Sequence, residues 1–373
     1  MSSTVEGSEV ELRAHVLQAF ANAVAERGYT EFMASFNPLA YRPEIYSVYR
    51  FNADPRVRAV IDFLLLRKSV RAEGLDEALG DSWRCLLELS LAELDARGWA
   101  TMQGLALQYH YGILFFTDAG MSRDPNVYFG DDSIALFPRI YVTPAQTALD
   151  LCSGSGIQAM QLARSAGSVA AVEINPRARR VLSVNAALNS QEHKVNIYGG
   201  SLFNELPEGV RFDVVTANPP LVPFPDSVRY PFVGHGGADG LAITSNILEG
   251  LRERLTARGR AHIIGLTLSN GARLVTEDQF RQIAAECELD ITLTLIAHLP
   301  LSESSFWMRG LVGTALPVAG KSRTAIDSAF ADVLSKYGAT HLASCYIFAR
   351  CGSGRFVYQN FARTNKDLWF VSG

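Results

Sequence analysis

The sequence predicts an α/β fold, an open and mostly parallel sheet, preceded by a separate and mainly helical module. Two observations predict the sheet. Short apolar runs at residues 147–151, 168–172 and 212–217 alternate with helical stretches, as in β-α-β units. A small-residue turn, Cys152-Ser153-Gly154-Ser155-Gly156, leads from the first run into the helical run 157–164. A third observation sets the module apart: before residue 125 the apolar residues keep a helical spacing.

The division is read as a module over 1–125 and a sheet-bearing part over 126–373, joined by the polar stretch 118–126 with Gly120, Ser122 and Pro125. In the module, residues 9–26 form one helix, closed by Arg27-Gly28, and Pro55 starts a second that runs to Lys68. A short segment at 75–79 precedes a third long helix at 81–97, and 105–116 reads as one or two strands. This order resembles a winged helix. The third helix carries Glu88, Glu93 and Asp95 against Arg84 and Arg97, so it suits a structural or substrate-gating domain better than a DNA reader.

After residue 271 the αβ alternation resumes: a helix at 276–286, a strand at 291–296, a helix at 325–337 and a strand at 344–349, which complete a seven-stranded sheet. The loop 299–309, with Glu303, Phe306 and Trp307, is long enough to cover a site. The closing stretch 356–370, flanked and interleaved by Arg355, Arg363 and Lys366, reads as a last strand packed on the core.

Composition narrows the function classes. The 373 residues are 48% apolar and 19% charged, ordinary for globular domains. A net charge of −4 and a pI near 6.0 offer little counterion-release energy for a phosphate backbone, so nucleic acid is not the expected partner. The five cysteines form no Cys-x-x-Cys pair, and no structural metal is expected. No run approaches about eighteen apolar residues, and the start Met1-Ser2-Ser3-Thr4 lacks the pattern of a secretory signal, so a cytoplasmic location without membrane attachment is expected.

The chemistry concentrates at strand ends, where open α/β sheets hold ligands. Asn218-Pro219-Pro220-Leu221 follows the run 212–217. Each proline fixes φ and lacks an N–H, so Asn218 and the Pro219 carbonyl are stiff acceptors suited to an incoming –NH group. Gly154 and Gly156 let the backbone pass close to a ligand at a helix start. Glu173 ends the next strand, about twenty residues on, where an acidic side chain reaches ribose hydroxyls. A dinucleotide would fit the same features, and Ala159 at the third glycine position does not decide between cofactors.

The ordered set does. Asp150 to Gly156, Glu173-Ile174-Asn175-Pro176, Gly200-Ser201-Leu202-Phe203, Asn218-Pro219-Pro220-Leu221 and Gly236-Gly237-Ala238-Asp239-Gly240-Leu241 resemble class I S-adenosylmethionine-dependent methyltransferases. Within them the likeness is to the small-domain group that includes release-factor glutamine and ribosomal RNA guanine methyltransferases, over residues 127–271. The resemblance implies a Rossmann-like sheet and S-adenosyl-L-methionine as cofactor. It places Asp150, Cys152, Ser153, Gly154 and Gly156 under the methionine part, Glu173 and Ile174 at the ribose, Ser201 and Leu202 at the adenine, and Phe129 and Asn218 beside the cofactor. Asn218 and Pro219 would be catalytic. Two departures stand out: Cys152 replaces a glycine, and Leu221 replaces an aromatic residue that would stack on a planar acceptor.

For the acceptor, Tyr128, Asp131, Asp132, Pro220, Leu221, Asp226, Asp239 and Glu303 are the candidates. The carboxylates among them favour a small cationic or amino-acid-like biosynthetic substrate, with a guanidino nitrogen, as in arginine, leading. Two alternatives stay open: an RNA or release-factor glutamine N-methyltransferase, and a non-catalytic nucleotide-binding module. The seven histidines show no i, i+4 pair, and His235 is the leading catalytic candidate among them.

Overall fold

The computed structural model describes residues 3–119, 125–363, 365 and 367–371, with side chains described from Ala14 onward. Gly120, Ser122 and Lys366, named above in the linker and the closing stretch, lie outside the described residues.

The chain opens with α1 (Ser3–Glu26), α2 (Tyr29–Ala34), α3 (Pro43–Tyr49) and α4 (Pro55–Val60), the last continuing as a π-helical turn to Leu65. Then come β1 (Val70–Arg71), α5 (Ala72–Leu79), α6 (Cys85–Glu88), β2 (Ala92–Leu94) and β3 (Trp99–Met102). The three strands form an antiparallel sheet in the order β1-β3-β2. The expected third helix over 81–97 is corrected. It stops at Glu88, Ser90 takes a positive φ of 55°, and the chain turns back at 95–98. Asp95 explains the turn: its Oδ1 accepts from the N–H of Arg97 at 2.9 Å and of Trp99 at 2.8 Å, a local bond set that competes with helix.

Residues 105–116 become a hairpin, β4 (Leu105–His110) and β5 (Ile113–Asp118). The free edge of β5 is met by helix α9 (Pro176–Leu188). Asn185 acts there as a surrogate strand, accepting from Phe116 N at 2.7 Å and donating to Phe116 O at 3.0 Å. Ala178, Val181 and Leu188 of α9 join the same buried cluster as Phe20, Leu64 and Trp83, so one helix is shared by both parts of the chain.

The large sheet follows α7 (Asp131–Leu136). Its elements are β6 (Thr147–Leu151), α8 (Ile157–Ala163), β7 (Ser168–Glu173), α9, β8 (Val195–Gly199), β9 (Phe212–Ala217), α10 (Ala242–Arg254) and β10 (Leu255–Ser269). They continue with α11 (Glu277–Glu286), β11 (Leu289–Pro300), α12 (Phe306–Ala319), α13 (Arg323–Tyr337), β12 (His341–Cys351) and β13 (Phe356–Asn360). The order β13-β11-β12-β10-β9-β6-β7-β8 makes eight strands rather than seven, because β13 pairs parallel to β11 at the edge. The expected loop 299–309 is also shorter: Ser305 caps α12, its Oγ accepting from Met308 N at 3.1 Å, so Phe306 and Trp307 are helical.

From β6 the chain winds outward to β7 and β8 on one side, then returns to β9 and β10 on the other. β6 and β9 are therefore the switch point, the crevice where such sheets bind ligands. Leu151 pairs with Ala217, so Cys152 and Asn218 leave the sheet side by side.

Candidate active site

The turn after β6 is built from left-handed backbone: Cys152, Gly154 and Gly156 have φ of 56°, 51° and 80°. Position 152 thus has the geometry that favours glycine, and cysteine there bears the Cβ penalty. Gly156 serves packing rather than a ligand. A Cβ on it would stand 2.6 Å from Leu182 Cγ of α9. Glu173, 8% exposed, closes the loop from the neighbouring strand: Oε2 accepts from Gly154 N at 2.8 Å and Oε1 from Asn175 N at 2.7 Å. Burial, with Glu173 and Asp150 nearby, pushes the Cys152 thiol well above its ordinary value, so it stays un-ionised. Asp150 lies beneath the loop, accepting from Thr216 Oγ1 at 2.9 Å, and burial pushes its carboxyl up to about 7 against that bond.

Above this loop is a cavity of about 230 Å³. Residues 152–155, Glu173 to Asn175, Gly200 to Leu202, Asn218 and Pro220 line it, with Val172 and Ile243 as apolar faces. Seven of the expected cofactor residues meet here: Cys152, Ser153, Gly154, Glu173, Ile174, Ser201 and Leu202, with Asn218 at the edge. Three do not line it. Asp150 is under the loop, Gly156 is against Leu182, and Phe129 packs edge-on against Tyr41 and Phe115. A nucleoside-sized group fits this lining: acidic Glu173 stands at one wall, and the apolar side chains of Val172 and Ile243 offer surface for a base. Ser133, Gln158 and Phe232 also line the cavity and carried no local signal of it.

Asn218 joins this cavity to a second. Its Nδ2 donates to Asp132 Oδ2 at 2.9 Å and Ser133 Oγ at 3.2 Å, while Tyr128 Oη donates to Asp132 Oδ1 at 2.9 Å. A carboxylate oxygen only accepts, so the amide nitrogen must face Asp132 and the carbonyl oxygen must face away. That oxygen, Oδ1, is buried with no hydrogen-bond partner among the described residues. Burial raises the Asp132 carboxyl above its ordinary value, opposed by the Asn218 and Tyr128 donors. The loop 236–241 braces the tip from below: a Cβ on Gly240 would lie 2.3 Å from Leu266 O, and one on Gly236 2.8 Å from the Leu221 carbonyl carbon.

The second cavity, about 590 Å³, is the candidate acceptor cleft. Tyr128, Asp131, Asp132, Pro219 and Leu221 line it as expected, and Tyr128 and Asn218 line both cavities. Tyr41 and Glu44 of the N-terminal module and Trp307, Leu368 and Trp369 complete it. Asp131 is already engaged: it accepts from Tyr41 N at 2.6 Å and pairs with Arg42 at 2.9 Å. Pro220 faces the first cavity instead. Asp226, Asp239 and Glu303 are corrected, since none lines either cavity. The Asp226 side chain is 73% exposed, Asp239 caps Leu241 N at 2.9 Å, and Glu303 is exposed before α12. His235 also lies outside both, its Nδ1 accepting from Gly237 N at 3.3 Å.

Residues 123–288 match the model of the family described as methyltransferase small domain. The ribosomal protein uL3 glutamine methyltransferase of Bradyrhizobium diazoefficiens is 31% identical over 142 residues, 35% of this chain and 44% of that protein. The ribosomal protein L11 methyltransferase of Pelotomaculum thermopropionicum is 40% identical over 108 residues, 27% of this chain and 34% of that protein. The chain therefore spans less than half the length of either relative. Among solved structures, the complex of aTrm5 and tRNALeu shares 14% identity at a TM-score of 0.39, covering 67% of this chain and 55% of that one.

These findings overturn the expectation of a small-molecule partner: the relatives found are named for ribosomal proteins. The physical reason lies in the carboxylates that suggested a small cation. Three of them do not reach the cleft, and Asp131 and Asp132 already hold Arg42 and Asn218. Over residues 123–288 the chain thus carries the likeness of a methyltransferase small domain, consistent with a class I S-adenosylmethionine-dependent methyltransferase.

Proposed function

We propose that the chain transfers a methyl group from S-adenosyl-L-methionine to the side-chain amide nitrogen of a glutamine in a protein of the translation apparatus. The observation that carries this reading is Asn218 Oδ1, buried, unpartnered and turned away from Asp132 at the junction of the two cavities. An amide –NH₂ supplies the missing donor. The uL3 glutamine methyltransferase supports the acceptor class by its name.

Residues 152–154, Glu173, Ser201 and Leu202 would hold the cofactor, which supplies an electrophilic methyl group on a sulfonium. The protein's task is alignment. An amide nitrogen is a poor nucleophile because its lone pair is shared with the carbonyl. Asn218 Oδ1 and the Pro219 carbonyl accept its two N–H bonds, hold the nitrogen in line and stabilise the charge that develops on it. Asp132 locks the asparagine in the accepting orientation, and its negative charge behind the amide strengthens Oδ1 as an acceptor. The methylated nitrogen is strongly acidic, so water in the open cleft takes its surplus proton. Leu221, 5% exposed, is a packed wedge, and the flat faces for a planar amide come from Tyr128, Tyr230 and Trp307 instead.

The module before residue 125 serves in this reading as a wall of the acceptor cleft through Tyr41 and Glu44. The division at 125/126 belongs to the same proposal, with the β4–β5 hairpin docked on α9 across it. The test is incubation with labelled cofactor and, in separate arms, ribosomal proteins, ribosomal RNA and free amino acids, followed by mass spectrometry of the labelled material. One methyl group on a glutamine amide is expected. Label found only in RNA or in free amino acids would overturn the reading.

A further inference from the structure

Beside the acceptor cleft lies a third cavity, about 270 Å³, between the loop after α2 and the turn of the β4–β5 hairpin. Its walls are rings: Phe36, Tyr41, Tyr46, Tyr109, Tyr111 and Phe129. Edge-on contacts hold them in place, Phe36 to Tyr46 with centroids 4.9 Å apart and Tyr41 to Phe129 at 5.1 Å. Tyr41 and Phe129 also line the acceptor cleft, so the two cavities share a wall.

Besides the tyrosines, three polar side chains stand in this lining, and Asn37 is engaged, its Oδ1 accepting from Leu39 N at 2.9 Å. Gln108 is spent, its Nε2 donating to Tyr41 Oη at 3.2 Å. His110 is not: its Nε2 is buried with no hydrogen-bond partner among the described residues. Burial pushes this imidazole down to about 4, so it is neutral at pH 7. Each nitrogen of a neutral imidazole either donates or accepts one bond. An unmet polar atom is a standing cost that a ligand can remove. An apolar cavity of about 150 Å³ already admits benzene, so this one has room for a substituted ring.

We propose that this cavity is a binding site for a phenolic side chain, a tyrosine of the acceptor polypeptide whose hydroxyl meets His110 Nε2. A phenol suits on two counts. Its O–H serves either tautomer of the imidazole, and its ring continues the edge-to-face packing of the walls. The proposal rests on the polypeptide acceptor argued above. The site anchors the acceptor away from Asn218, so it sets KM and leaves kcat alone.

Calorimetry on the full, unmutated chain with p-cresol and toluene decides the cavity independently of any acceptor. We expect saturable p-cresol binding, about tenfold tighter than toluene, the scale of one hydrogen bond. His110→Phe should abolish it. Absence of p-cresol binding to the parent, or equal binding of toluene, overturns the proposal whether or not the variant folds. In a second arm, glutamine peptides with and without a tyrosine are methylated. His110→Phe should raise KM about tenfold for the tyrosine peptide only, at unchanged kcat, and an equal rise for both peptides overturns the proposal. If neither peptide is methylated, the glutamine reaction falls, while the p-cresol comparison still decides the site.

Discussion

Glu173 accepts a 2.8 Å hydrogen bond from the backbone N–H of Gly154, so the residue expected at the ribose also fixes the loop that lines the first cavity. We expect Glu173→Ala to weaken S-adenosyl-L-methionine binding by about 1–3 kcal/mol, the scale of lost hydrogen bonds to a charged group. Thermal stability should fall with it, because Gly154 and Asn175 lose their partner. Titration calorimetry and a melting curve measure the two effects. Unchanged affinity in the folded variant would confine Glu173 to the loop.

Asp132→Asn tests the orientation of the amide it faces. An asparagine at 132 can offer either an N–H or a carbonyl oxygen, so Asn218 is free to turn over. We expect kcat to fall about 10–100-fold, short of full loss of a preorganised partner, with cofactor affinity unchanged. The double variant with Asn218→Ala should lose about 10²–10³, no more than Asn218→Ala alone, since both changes remove one interaction. Multiplicative losses in the double variant would show that Asp132 acts elsewhere.

Asp150 links the site to pH. Its folded carboxyl is pushed up to about 7, whereas the unfolded value is about 3.9. Between those values the folded chain holds a proton that the unfolded chain has lost, so stability falls as pH rises from about 4 to about 7. Asp150→Asn removes this titration. Denaturation of the variant should show a flatter decline across that window, and parallel curves for variant and parent would exclude Asp150 as its source.

Gly156→Ala should destabilise the protein by about 1–3 kcal/mol, from overpacking together with a left-handed backbone. The added methyl meets Leu182 Cγ at 2.6 Å. Shortening Leu182 to Ala in the same chain should recover part of the loss relative to the two changes summed. Chemical denaturation measures it, and strict additivity would contradict the packing role.

The strand-end chemistry was legible in the sequence because it is local. Gly154, Glu173 and Asn218 each follow an apolar run whose end announces a crevice, and the pairing of Leu151 with Ala217 brings two of those ends together. The acceptor walls were not legible. Tyr41 and Trp369 reach the cleft from opposite ends of the chain, and neither has a neighbour in sequence that marks it. Asp226 and Asp239 misled for the converse reason: they sit in loops beside the motif, but brace it from outside the cleft. In the N-terminal module a helical spacing continued past Glu88, yet Asp95 and Gly98 made a turn, a local hydrogen-bond set outweighing periodicity.

The most direct measurement is single-turnover methyl transfer by Asn218→Ala to a glutamine-bearing protein acceptor, at saturating cofactor. The geometry leads us to expect a rate lower by about 10²–10³, the cost of removing a preorganised transition-state partner, with cofactor affinity nearly unchanged. A variant that keeps more than about a third of the parental rate would make Asn218 a turn residue and contradict the mechanism.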